Sequence, residues 1–93
     1  MIIGVLSVEV MIGEARSLKD KRRVLQSLKQ RLRNRFNVSV AEVAYEDTWQ
    51  RAVLGVAPVC NETRVVESQL DQIVDVVRGM PQVSLLQYER VLY

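Results

Sequence analysis

An α+β fold, with two helices packed on one face of a four-stranded antiparallel sheet, is predicted for this 93-residue chain by three observations. From Ile2 to Ile12 the even positions read Ile, Gly, Leu, Val, Val and Ile, while Ser7 and Glu9 fall on odd ones, the period-two alternation of a half-buried strand. Two later stretches, 18–36 and 62–78, return apolar residues at helical spacing. The segments 38–45, 51–60 and 82–93 are rich in β-branched and apolar residues. The chain therefore reads strand, helix, strand, strand, helix, strand.

The first strand ends at "GEARS", which turns the chain, and Ser17 followed by Asp20 forms a capping box with Asp in place of Glu. The helix that begins there carries Leu18, Leu25, Leu28, Leu32 and Phe36 at spacings of seven, three, four and four, one stripe of an amphipathic helix. Asn37 breaks it. In the second strand, "VSVAEVAY", Val38 and Val40 point to even positions as the inward face, but Ala41, Val43 and Tyr45 point to odd ones. Either a bulge or burial on both faces reconciles them. "EDTWQ" is short enough to make a hairpin with "RAVLGVAPVC", whose Pro58 suits a strand end or an edge. In the second helix Val66, Leu70, Ile73, Val74 and Val77 form the stripe, Asn61 is placed to cap, and Gly79 followed by Pro81 ends it. "QVSLLQYERVLY" supplies the fourth strand.

This order within 100 residues is that of the ferredoxin-like βαββαβ unit, with right-handed crossovers and both helices on one face. The opposite sheet face is left bare. Ile3, Val5 and Met11 point there, with Val53, Ala57 and Val59 on one side of the third strand, so a homodimer through this face is expected.

Composition narrows the function classes. With 48% hydrophobic and 26% charged residues the chain reads as a single globular domain over 1–93. One cysteine and no histidine exclude an intramolecular disulfide and any metal framework of the usual ligands, so no metal and no cofactor is expected. "MIIGVLSVEVMIG" lacks a basic flank and is interrupted by Glu9, which argues against a signal peptide, and no run is long enough to span a bilayer. A cytoplasmic protein without a membrane role is the expectation.

Charge is sharply segregated. Nine of the thirteen bases and one acid lie between Arg16 and Arg35, a net +8, while the remaining residues hold four bases against ten acids, −6. At 100° per residue, Arg22, Lys29 and Arg33 share one strip beside the apolar stripe, with Lys19 and Arg23 next to them. These five are the candidate nucleic-acid-binding residues, since clustered cations gain affinity from released phosphate counterions. The competing reading is a solvated face partly answered by Glu62, Glu67, Asp71 and Asp75 of the second helix. Base stacking on the sheet, as RNA-recognition domains do it, is excluded because the two central strands carry no aromatic.

Three further residues call for structural or interface roles. Lys21 falls inside the apolar stripe, where it must snorkel or meet a carboxylate such as Glu42 or Glu9. Trp49, the only tryptophan, is read as a plug at the core's end or in a dimer interface, with stacking on a base or partner as the alternative. Cys60 reads as a small apolar residue. The nearest approach to a reaction site is "GEARSLK", where Arg16, Ser17 and Lys19 flank a helix N-terminus able to hold an anion, as in acylphosphatase-type enzymes. Ser17 is positioned to cap those amides itself and no asparagine stands by to orient water, so a non-enzymatic protein is expected.

The stretches "SLKDKRRVLQSLKQRLRNRFNVSVAEV" and "DTWQRAVLGVAPV" resemble the YlxP-like family of small bacterial proteins, a domain of unknown function, and the likeness covers nearly the whole chain. It is most specific over Ser17 to Arg23, Asn34 to Glu42 and Trp49 to Ala52. The resemblance implies a ferredoxin-like fold. Because genes of this family often adjoin those of ribosome-binding factor A and initiation factor 2, it also implies association with the ribosome or its RNA. No catalytic residue and no substrate follow from it. Two alternatives remain: a homo-oligomeric interaction module without nucleic-acid contact, and a small-anion enzyme.

Overall fold

The computed structural model describes residues 1–93. Strand β1 (Ile2–Met11) is followed by helix α1 (Leu18–Arg35), strands β2 (Val38–Ala44) and β3 (Arg51–Cys60), helix α2 (Thr63–Arg78) and strand β4 (Ser84–Leu92). The strands form one sheet in the order β2-β3-β1-β4, every neighbouring pair antiparallel. This is the expected ferredoxin-like α+β arrangement, with β2 and β4 at the edges. Neither helix is long and apolar enough to cross a membrane.

Alternation in β1 sends Leu6, Val8 and Val10 into the core, where they meet Ala52, Leu54 and Val56 of β3. From above, Leu25, Leu28 and Leu32 of α1 and Val66, Leu70, Ile73, Val74, Val76 and Val77 of α2 close a single buried cluster of 20 residues. The stripe expected for α1 is buried in its middle, whereas Leu18 and Phe36 at its ends are only partly covered. α2 comes unusually close to β1 at Gly4. A Cβ there would stand 2.6 Å from a methyl of Val66, so the absence of a side chain sets how near the helix can lie.

Two local expectations are corrected. α2 is not capped by Asn61: Glu62 occupies the cap position, extended at φ −135°, and no side chain bonds the first amides. In β2 the inward face is the even one up to Glu42, with Val40 buried, and the register then slips between Glu42 and Ala44 against β3. Ala41 and Val43 stand exposed on the opposite face, so the mixed pattern reflects apolar residues on both faces of the strand. Gly55, across the sheet from Ala41, leaves room for Val43 on the far face.

The bare face is apolar toward the Ile3 end and polar across its middle, and at the far end Met11 lies between Arg51 and Ser84. Ile3 lies opposite Val59, and Val5 opposite Val91. Between them and Met11, however, Ser7 faces Gly55 and Glu89, while Glu9 faces Val53 and Gln87. Glu9 is ion-paired with Arg51 and accepts a 3.0 Å hydrogen bond from Gln87. The guanidinium of Arg51 lies 4.6 Å from the centre of the Tyr45 ring. The expectation of a continuous apolar surface thus gives way to one divided by a charged pair.

Candidate nucleic-acid interface

α1 presents its cations on two flanks of the buried stripe. On one flank Arg33 donates a 3.0 Å hydrogen bond from Nη2 to the carbonyl of Val40, which places the strip of Arg22, Lys29 and Arg33 beside edge strand β2. Arg22, Arg33 and the neighbouring Lys19 and Arg23 are exposed, and Lys29 is partly buried. The five residues expected to form a phosphate-binding face therefore lie together on the outer and β2-facing side. They are not equivalent: Arg33 already serves the sheet edge.

The other flank was not singled out from the sequence. Arg31 and Arg35 line a groove of about 270 Å³ against Gln72, Asp75 and Val76 of α2 and Gly79 just after it. Arg35 continues into a groove of about 420 Å³ with Arg64, Ser68 and Gln69. The i, i+4 spacing of Arg31 and Arg35 could have shown the first two as a pair. Arg64 joins them only through the packing of the helices.

α2 answers the basic helix only at Asp75, which shares a groove with Arg31 and Arg35 without forming an ion pair. The molecule's three ion pairs are Lys21–Glu42, Arg51–Glu9 and Arg90–Asp71, so no exposed cation of α1 is paired with an acid of α2, and Asp71 turns to β4 instead. Lys21 is the one neutralised cation of the helix. Fully buried, its Nζ lies 2.9 Å from Oε2 of Glu42 and 2.8, 3.4 and 3.2 Å from the carbonyls of Tyr45, Glu46 and Arg51. Of the two carboxylates considered, Glu42 is the partner, because Glu9 lies on the opposite sheet face. The lysine ties the start of α1 to both ends of the β2–β3 connection, whose Tyr45 takes a left-handed φ of 62°.

That connection carries Trp49, which is 55% exposed. It does not plug the core. The segment is fixed instead by main-chain and amide bonds, Ile12 N to Gln50 O at 2.7 Å and Gln50 Nε2 to the carbonyls of Gly13 and Ala15. At the start of α1, Ser17 Oγ accepts from the amide of Asp20, and Oδ2 of Asp20 accepts from the amide of Arg16, each at 3.1 Å. The cap thus sets a hydroxyl and a carboxylate where Arg16, Ser17 and Lys19 were considered as an anion site.

The carboxyl of Glu9 is held below its ordinary value of 4.5, chiefly by its bond to Arg51 and then by that from Gln87. A carboxyl depressed by folding stabilises the native state above the unfolded pKa and loses that contribution as pH falls through the folded one. Urea midpoints should therefore drop as pH is lowered below 4.5, and Glu9→Gln should flatten that part of the profile. An unchanged profile in the variant would assign the acid sensitivity to other carboxylates.

Comparison with known proteins yields two matches. The family described as "Protein of unknown function (DUF503)" matches residues 3–90, from β1 into β4. The uncharacterized protein YlxP of Bacillus subtilis (strain 168) is 38% identical over 83 residues, covering 89% of this chain and 90% of that protein. The match spans the basic helix, the buried lysine and the hairpin that it holds. On both grounds the chain belongs to the DUF503 family of proteins of unknown function, the YlxP-like family that its first helix and hairpin resemble.

Proposed function

We propose that this protein is a non-enzymatic, cytoplasmic RNA-binding protein that holds structured RNA, ribosomal RNA in particular, against the outer face of α1. One observation carries the reading: the exposed cations Lys19, Arg22, Arg23 and Arg33 of α1 make no ion pair although an acid-bearing helix lies alongside. A surface kept merely soluble has no need of such segregation, and Lys19 even sits in the first turn, where the helix dipole disfavours a cation. Binding would be through phosphates, by shape and charge, since no aromatic is offered by the central strands.

The test is co-sedimentation of the purified protein with ribosomal subunits over a salt series. Co-sedimentation at low salt that declines steeply as salt rises is the expected result. If the protein stays in the supernatant even at the lowest salt, the basic face is only solvated and the interaction-module reading takes its place.

A further inference from the structure

We propose that β4 pairs antiparallel with β4 of a second copy, centred on Tyr88, so that two molecules share one eight-stranded sheet. The inference starts from which backbone groups of β4 are free. Ile3 and Tyr93 exchange both main-chain bonds, N to O at 3.0 Å and 2.8 Å. Continuing the register by twos, Val91, Glu89 and Gln87 direct their amides and carbonyls at β1, opposite Val5, Ser7 and Glu9. Those of Tyr88, Arg90 and Leu92 therefore face outward. Leu86, Tyr88, Val91 and Leu92 add exposed apolar surface along the same strand. The nine-residue edge carries no proline and no lysine; its register with β1 shifts near Leu86, but from Gln87 to Leu92 it runs unbroken, with Glu89 and Arg90 as its two charges.

Charge selects the occupant. α1 packs on β2, at the other end of the sheet, whereas α2 packs on β1, β3 and β4. Two copies meeting by β2 would bring together two helices that each hold eight bases and one acid, while β4 holds one Glu and one Arg and meets its copy without net repulsion. The same argument sets the register. With Tyr88 opposite Tyr88, Glu89 lies opposite Gln87 and Arg90 opposite Leu86. A two-residue slip toward the C-terminus puts Glu89 against Glu89, and a further one puts Arg90 against Arg90.

The test is the mass of the intact protein in solution by sedimentation equilibrium, at high micromolar concentration. Twice the chain mass of 10.7 kDa is expected for the wild type. Tyr88→Lys, which sets like charges opposite each other at the two-fold, should return it to monomer. Tyr88→Pro should do the same, since it removes an outward amide and none of the β1 ladder. Circular dichroism identifies any variant that fails to fold, and Tyr88→Lys at the surface then decides. A monomeric wild type overturns the proposal, and so does a dimer that survives Tyr88→Lys but is lost in Val53→Lys, which would locate the interface on the sheet face.

Discussion

Replacing Lys21 with methionine is expected to destabilise the fold by about 3–5 kcal/mol, the range found when one partner of a buried, hydrogen-bonded charge is removed. Methionine fills similar space, so the loss comes from what is left behind: a carboxylate that is 17% exposed at its side chain, and the carbonyls of Tyr45, Glu46 and Arg51. Glu42→Gln should be milder, about 1–3 kcal/mol, because the amide oxygen still accepts from Nζ. The double substitution Lys21→Met with Glu42→Leu separates the contributions. An isolated ion pair exchanged for apolar side chains is often neutral, but here three carbonyls stay unsatisfied, so the double variant should remain well below the wild type. Urea unfolding at constant m-value measures all three. A Lys21→Met midpoint equal to the wild type would mean that water reaches the carbonyls and that the lysine is dispensable.

The second large effect is on binding. Lys19, Arg22 and Arg23 are exposed and engage no other side chain, so changing all three to glutamine should leave the urea midpoint within about 0.5 kcal/mol of the wild type. If each contacts a phosphate, the slope of log affinity against log salt on a duplex RNA should flatten by roughly 2.7, about 0.9 per contact. At low salt this corresponds to a loss of affinity of roughly a hundredfold or more, shared by unrelated sequences. Arg33 is left out of the variant because its bond to Val40 gives it a structural task. Filter binding to ribosomal RNA fragments over a salt series reads the slope directly. A slope that does not change would show that RNA, if bound, lies elsewhere, with the Arg31, Arg35 and Arg64 grooves the next place to substitute.

Much of the fold was legible because its signals are local. The alternation of β1, the stripes of both helices and the Ser17–Asp20 cap each depend on residues a few positions apart, and each is found as read. β2 was ambiguous for a physical reason: it carries apolar residues on both faces, Val38 and Val40 inward and Ala41 and Val43 on the exposed side, so no single face satisfies them all. Asn61 was a plausible cap by residue type, but the helix begins one residue later. The burial of Lys21 could be read from its wheel position, and its partner could be narrowed to two acids. That three carbonyls join Glu42 depends on a turn whose left-handed Tyr45 has no sequence signature. Ser7 and Glu9 were legible on the bare face from their odd positions, but not the ion pair that divides it, because Arg51 and Gln87 meet Glu9 only once the strands are in register. The arginines between the helices belong to the same class, since their proximity is a property of packing.

The bond from Arg33 to Val40 bears on how far an assembly of these molecules can grow. A sheet has two edges, and a chain with both edges open polymerises without limit, each addition exposing the same acceptor surface as the last. Here a guanidinium occupies a β2 carbonyl, and the bulge after Glu42 bends the rest of that short strand away from a straight ladder. The proposed pairing through β4 would leave this obstructed edge outermost. Under that proposal growth stops at two molecules however high the concentration, while the fraction paired still rises with it, and the arginine at the β2 edge acts as a chain terminator.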